Sequence, residues 1–231
     1  MADASLTWLG HASFRLDTSG GKRIYVDPWF ENPKCPDDEK NPERCDAIAV
    51  THGHSDHTGG AVELSQKFGP VPIVAIVELK GWLKGQGAQT DDVPGPNKGG
   101  TVEAAGLKFT LTNAFHSSAS DDGAYLGEPT GIVVELEDGK RIYFAGDTCV
   151  FSDMQLIGRL YSPDLAVLPI GGHFTMDPYE AGLACELLGT NRVLPCHYGT
   201  FPLLAGTPDE LRQLAQGAEI MALEPGETTT V

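Results

Sequence analysis

A chain of 231 residues with 41% apolar side chains, 28 Gly and 16 Pro has the composition of a globular protein rich in turns, which excludes a disordered one. Lys and Arg number 16 against 32 Asp and Glu, and the resulting net charge of −16 repels phosphate backbones and argues against nucleic acid as a substrate. Five cysteines (Cys35, Cys45, Cys149, Cys185 and Cys196) lack any CxxC spacing, so free thiols in a cytoplasmic protein are expected rather than disulfides or a zinc ribbon.

The opening "ADASLTWLGHASF" has neither a basic start nor a long apolar stretch, so no signal or transit peptide is expected. Short β-type runs then recur: SLTWLG, KRIYVD, DAIAVTH, VPIVAIV, LKFTLTNAF, GIVVELEDGKRIYFAGD, DLAVLPI, NRVLPCHY and AEIMAL. The longest apolar ones are too short to span a bilayer. Close succession of the early strands predicts antiparallel neighbours, and Asp138-Gly139 predicts a hairpin with a tight two-residue turn. Two weaker helices are expected near GAVELSQKFG and ELKGWLKGQG, and QTDDVPGPNKGG looks like a loop. Three further helices announce themselves by their ends. Ser152 opens SDMQLIGRLYSP, which stops before Pro163. Asp177-Pro178 with Glu180 starts a helix that leaves at Gly189, and Thr207-Pro208 with Glu210 starts one that leaves at Gly217. No tandem repeat or long linker divides the chain, so a single α/β domain over residues 1–231 is expected.

The chemistry concentrates in VTHGHSDHTGG. His52, His54, Asp56 and His57 fall within six residues, in a chain with seven histidines altogether. The strand DAIAV ends just before them. Residues two apart in extended chain project to one side, which lets His52 and His54 converge, and Gly59-Gly60 is expected to permit the turn that brings Asp56 and His57 round. Removing three imidazoles and a carboxylate from water is costly without a cation. Neutral imidazole and carboxylate suit zinc, and also manganese, iron or nickel. One catalytic zinc takes three protein ligands and a water, so four donors are already too many for it. More donors close other β-type runs: His116 after FTLTNAF, Asp147 after RIYFAG, and His197 after NRVLPC. Seven candidates suffice for two metals sharing a bridge.

THGHSDHTGG, together with His116, AGDT and PCHYGTF, resembles the metallo-β-lactamase fold superfamily along nearly the whole chain. GHASF, DPWF, LPIGGHFTMDP and HYGTFP are similar to a subgroup of metal-dependent hydrolases related to the ascorbate-6-phosphate lactonases. The resemblance implies a four-layer αβ/βα sandwich with two metal ions at its edge. It also implies a sorting of ligands: His52, His54 and His116 for the first ion, Asp56, His57 and His197 for the second, and Asp147 bridging. Two divalent ions, zinc foremost, would hold a hydroxide between them and lower the pKa of the water from about 16 to about 7. That hydroxide would attack a lactone, ester or phosphoester bond of a small molecule.

Asp56 and Asp147 are candidates to orient the nucleophile or pass a proton, and His173 in PIGGHFTM is a candidate substrate contact or general acid. His11 in WLGHAS is either a hydrogen-bonded core imidazole or a support for a ligand. Cys149 and Cys196 sit beside proposed ligands, but Cys196 should face the core because neighbours on a strand point oppositely. Tyr198, Thr200, Phe201, Trp29 and Phe30 are candidates to line the pocket. The rival readings are a di-iron redox protein, a nuclease of the same fold, and a metal-bound sensor or scaffold without turnover. His54 stands where the redox members carry a glutamate, and the acidic charge opposes the nuclease. Self-association into a homo-oligomer is compatible with the sequence, which shows no legible interface.

Overall fold

A computed structural model describes residues 3–231 as thirteen strands and six helices. The first strands are β1 (Ser5–Trp8), β2 (Phe14–Asp17), β3 (Arg23–Val26), β4 (Ala47–Ala49) and β5 (Ile73–Val74). A second series comprises β6 (Thr101–Ala104), β7 (Leu107–Asn113), β8 (Thr130–Glu135), β9 (Arg141–Phe144), β10 (Leu165–Pro169), β11 (Arg192–Cys196) and β12 (Glu219–Ile220), and the chain returns through β13 (Thr228–Thr230). One sheet has the order β13-β1-β2-β3-β4-β5, the other β12-β11-β10-β9-β8-β7-β6. The helices are α1 (Ser55–Thr58), α2 (Ala61–Phe68), α3 (Val77–Gly85), α4 (Met154–Tyr161), α5 (Pro178–Leu188) and α6 (Pro208–Leu214).

Alternation along the strands of the second sheet builds two cores. Ile132, Val134, Ile142, Phe144, Val167, Leu194 and Cys196 point inward and pack with Leu6, Phe14, Leu16, Ile24 and Ile48 of the first sheet. Their neighbours Val133, Tyr143, Ala166, Leu168 and Val193 point the other way, onto Met154, Ile157, Ala181, Ala184, Leu188 and Leu211 of α4, α5 and α6. Helices α2 and α3 add Ala61, Leu64, Leu79 and Leu83 to the first cluster. Each large aliphatic side chain so buried contributes about 1.5–3 kcal/mol. The result is the expected αβ/βα sandwich. Cys196 lies between the sheets, as its place beside His197 predicts.

Strand direction is what places the site. β1-β2-β3 are antiparallel neighbours, as expected, while β3-β4-β5 run parallel. In the other sheet β9-β10-β11-β12 are parallel, and two antiparallel steps through β8 leave β7 running the same way as β9. His11, Asp27 and His52 therefore all follow the C-terminal ends of β1, β3 and β4. His116, Asp147, His173 and His197 follow those of β7, β9, β10 and β11. Parallel strands of an open sheet deliver their loops to one rim, where ligands bind.

Several expectations need correction. The Asp138-Gly139 hairpin is present, but Leu136 N–H donates to Lys140 O across a three-residue loop in which Gly139 (φ 89°) is the residue needing positive φ. Gly59 and Gly60 do form the turn after α1, but in right-handed conformations (φ −53° and −100°) that need no positive φ, and a Cβ there would meet Trp29 or Phe30 at 2.7–2.9 Å. They are small so that the loop after β3 can lie against α1. VPIVAIV pairs only over Ile73–Val74 and becomes helical from Val77, and AEIMAL pairs only over Glu219–Ile220. Helix α4 takes Asp153 rather than Ser152 as its N-cap, without a side-chain cap bond. Asp177 and Thr207 cap α5 and α6 as expected, each accepting from the N–H of the Glu three residues on. Strands β2, β6 and β13 and helix α1 were not expected.

Candidate metal centre

The histidine loop owes its shape to what lies beneath it. After β4 the chain leaves the sheet through Val50 and Thr51 and bends at His52 and Gly53, then α1 brings the partly buried Asp56 and the buried His57 to the same place. Gly53 sits between His52 and His54 because a Cβ there would strike the Leu126 side chain at 2.6 Å, and its N–H donates to Ser118 Oγ. His52 Nε2 and His54 Nδ1 come to 3.0 Å from each other, close to the ~3.3 Å separating two nitrogens on one tetrahedral ion with ~2.0 Å bonds. Their other nitrogens are engaged elsewhere. His52 Nδ1 lies 3.1 Å from Thr51 Oγ1, and His54 Nε2 lies 3.3 Å from Ser117 Oγ. His52, His54 and His116 can therefore offer one nitrogen each within 4.8 Å of one another.

Asp27 organises the opposite side, and sequence reasoning missed it. Its backbone is left-handed (φ 46°), a costly conformation for a residue other than glycine. That turn sends the buried carboxylate under the cluster, where it accepts from Thr51 N–H and Thr51 Oγ1 at 2.7 Å and from His57 Nδ1 at 2.8 Å. The last bond makes Nδ1 the protonated nitrogen of His57 and leaves Nε2 directed into the site. Asp147 comes up from β9 behind Gly146, which has positive φ (64°) and where an added Cβ would meet Thr130 O at 2.8 Å. The Asp147 carboxylate lies 3.4 Å from His57 Nε2, 3.1 Å from His197 Nε2 and 3.6 Å from His116 Nε2.

His11, His57 and His197 surround Asp56. His11 is buried, and its Nε2 lies 2.9 Å from Asp56 Oδ2 while Nδ1 lies 3.0 Å from Thr200 Oγ1. With Nε2 donating and the threonine hydroxyl bonding Nδ1, His11 holds Asp56 in place and completes a set of four potential donors with His57 and His197. His11 (φ 53°) and His197 (φ 54°) are also left-handed, and His197 N–H donates to His11 O at 2.9 Å. Strain at Asp27, His11 and His197 together marks the rim where both sheets end.

The protonation balance follows from burial and charge. Burial holds His52 well below the ordinary imidazole range, His57 adding to it, and lowers His54 and His116 as well. His11 is lowered to about 4, chiefly by burial. His57 goes the other way. Burial opposes its charged form, but Asp147, Asp27 and Asp56 outweigh that and raise it well above the usual value. His197 is raised to about 9 against burial by Asp147 and Asp56. Despite their own burial, Asp147 and Asp56 are held well below the usual carboxylate range, the first by His197 and His57, the second by His57, His11 and His197.

These side chains fit metal ions. His57 Nε2, His197 Nε2 and Asp147 Oδ1 are buried without a hydrogen-bond partner, although opposing polar atoms stand 3.1–3.4 Å away. The lone pairs aim into shared space rather than at one another, as donors around a cation do. His52, His57 and Asp147 form a further set of potential ligands, so Asp147 stands between the other two groups. All seven candidates, His52, His54, Asp56, His57, His116, Asp147 and His197, thus come together. His173 stays outside: it is exposed, left-handed (φ 44°), and its ring contact is the adjacent Phe174. Among the described residues no cysteine belongs to a potential metal-binding group. Asp27 had a legible signal after all, a carboxylate ending KRIYVD before Pro28.

The β-lactamase superfamily domain matches residues 22–198 of the chain. A metal-dependent hydrolase of Herpetosiphon aurantiacus is 48% identical over 239 residues, covering 100% of this chain and 99% of the relative. One of Rubrobacter xylanophilus is 48% identical over 231 residues, covering 96% and 94%. Among solved structures, a metallo hydrolase from the hyperthermophilic archaeon Ignicoccus hospitalis superposes with a TM-score of 0.88 at 38% identity, covering 100% of this chain and 99% of that one. With a convergent His and Asp cluster at the rim of an αβ/βα sandwich and relatives matching end to end, the chain belongs to the metallo-β-lactamase superfamily, among its UPF0173 metal-dependent hydrolases.

Proposed function

We propose that the protein is a dinuclear hydrolase of small molecules with a lactone, ester or phosphoester bond. His52, His54 and His116 would hold one divalent ion, Asp56, His57 and His197 the other, with Asp147 shared and zinc the foremost metal. When bound, such ions supply an ionised water at neutral pH and a Lewis acid for the substrate oxygen. The observation that carries the reading is the set of buried, unpartnered lone pairs on His57, His197 and Asp147.

The chain's own residues do the rest. Asp27 fixes the His57 tautomer, and the Thr200–His11 pair fixes Asp56. Asp56 keeps a side-chain exposure of 30% and is held ionised by its histidine neighbours, so it would orient the attacking water by accepting a hydrogen bond from it at the open side. His173 is exposed on the loop after β10, outside the donor cluster, and would give a proton only to a leaving group that reaches that loop. The free cysteines support a cytoplasmic setting, and among the described residues no helix is long and apolar enough to cross a membrane. Exposed Leu156, Leu160, Tyr179 and Leu183 on α4 and α5 are compatible with a homo-oligomer. A single domain accounts for both sheets contributing to one centre.

A hydrolysis screen over lactones, thioesters and phosphodiesters, on protein of measured metal content, tests the activity. Turnover that vanishes in Asp147→Ala but persists in Cys196→Ala supports the reading. Fully metallated protein that opens none of these bonds contradicts it.

A further inference from the structure

Access to the centre is one-sided. His52, His57 and Asp147 are buried, whereas Asp56 and His116 keep side-chain exposures of 30% and 14% and His54 is also only partly buried, so a substrate must arrive past these three. The loops around that side share an unexpected composition. Trp29 follows Asp27 by two residues, Phe115 precedes His116, Phe151 follows Asp147 by four, Phe174 follows His173, and Phe201 follows His197 by four. Phe115, Phe174 and Phe201 are 53%, 52% and 40% exposed. Four of these aromatics form two pairs. Trp29 lies 5.2 Å from the His11 ring and 6.2 Å from Phe201, while Phe115 lies 5.0 Å from Phe151. One aromatic pair therefore flanks the His11 side of the cluster, and another is carried by the loops of His116 and Asp147.

The same loops lack positive charge. Segments 28–30, 53–58, 114–118, 148–152, 171–175 and 198–203 contain neither Lys nor Arg. Among the described residues Asp56 and Asp147 pair with histidines alone. The polar flank carries Asp121, which accepts from Ser55 Oγ at 3.0 Å, and Lys34 lies against the β11 loop with its ammonium 5.6 Å from the Tyr198 ring centroid. A phosphate or carboxylate tail calls for a guanidinium fork or ammonium beside the reacting group. Exposed aromatics around polar donors instead recognise an apolar body by burial and its reacting group by the polar centre.

We infer that the centre selects uncharged substrates bearing an aromatic or bulky apolar group next to the hydrolysed carbonyl, seated between the Trp29–Phe201 and Phe115–Phe151 pairs, and discriminates against phosphorylated or carboxylated ones. This rests on the hydrolase reading, and its test separates the two.

Metal-loaded protein of measured metal content is assayed on three lactones with the same ring: phenyl-substituted, unsubstituted and carboxylate-substituted. In parallel, phenylacetamide, acetamide and phosphonoacetamide are titrated calorimetrically as slowly reacting ligands. The phenyl lactone should show kcat/KM at least about tenfold above the other two, and phenylacetamide should bind about tenfold tighter than acetamide, the usual worth of filling an apolar site. Phe115→Ala and Phe201→Ala should erase most of both preferences with metal content unchanged. Equal or better turnover of the carboxylate lactone, above all if Lys34→Ala removes it, overturns the inference while leaving the hydrolase reading intact. Loss of the phenylacetamide preference from the native protein also overturns it. If no lactone opens but phenylacetamide keeps its preference, the hydrolase reading fails and the aromatic site stands.

Discussion

Asp27 and His57 show how a buried carboxylate orients a candidate metal ligand. Asp27→Asn keeps the shape but turns an acceptor into a donor facing His57 Nδ1, which removes the reason for Nε2 to point into the site. Metal affinity should fall about 10- to 100-fold, the usual cost of losing such a partner, and a chelator competition titration reads it directly. The histidines predict a pH dependence of opposite signs. His197 is raised to about 9 and His57 is raised well above the usual value, so after chelation both carry protons at neutral pH. Folded values above the unfolded one make a stabilising contribution that is complete below pH ~6.5 and lost as pH climbs toward 9. The chelated protein should therefore lose thermal stability over that window. Metal uptake must displace these protons, so apparent affinity should rise over the same window. Calorimetry in two buffers of different ionisation enthalpy counts the protons released, and no release at pH 7 would contradict the assignment.

At the scale of elements, local rules and long-range pairing divide the credit. Helices α5 and α6 could be read from Asp177-Pro178 and Thr207-Pro208 because a cap is a local contract between neighbours. Thr207→Ala should cost about 1 kcal/mol with metal content unchanged, measured by urea denaturation. Strand β13 could not be read so, since Glu227-Thr-Thr-Thr has no apolar face and becomes a strand only by pairing with Ser5–Thr7. Strand β2 has an alternating burial pattern, and its short run FRLD hid between HAS and the turn at Gly20-Gly21. Helix α1 escaped because four residues of histidine and polar character carry no helical periodicity. The candidate donors were legible because a histidine or aspartate recurs after successive strands. Asp27, His11 and Thr200 were harder to place, because their part depends on contacts across 30, 45 and 189 residues. Gly53→Ala tests the element logic: the Cβ collides with Leu126, so His52 and His54 should separate and metal affinity fall, while far-ultraviolet dichroism stays unchanged.

For the whole molecule, two sheets that run their strands toward a common rim convert separate loops into one centre. That architecture links metal to stability: ions that bind only the folded chain stabilise it by about 2.7 kcal/mol at a hundred times Kd, so the melting temperature rises with their concentration. Chelation should lower the melting temperature and added zinc restore it, whereas Asp147→Ala should respond weakly to either. The most direct test of the central claim is anomalous diffraction from crystals of metal-loaded protein, with elemental analysis of the same preparation. Two ions per chain are expected, one among His52, His54 and His116 and the other among Asp56, His57 and His197, with Asp147 touching both. A single ion, none, or ions bound elsewhere would contradict it.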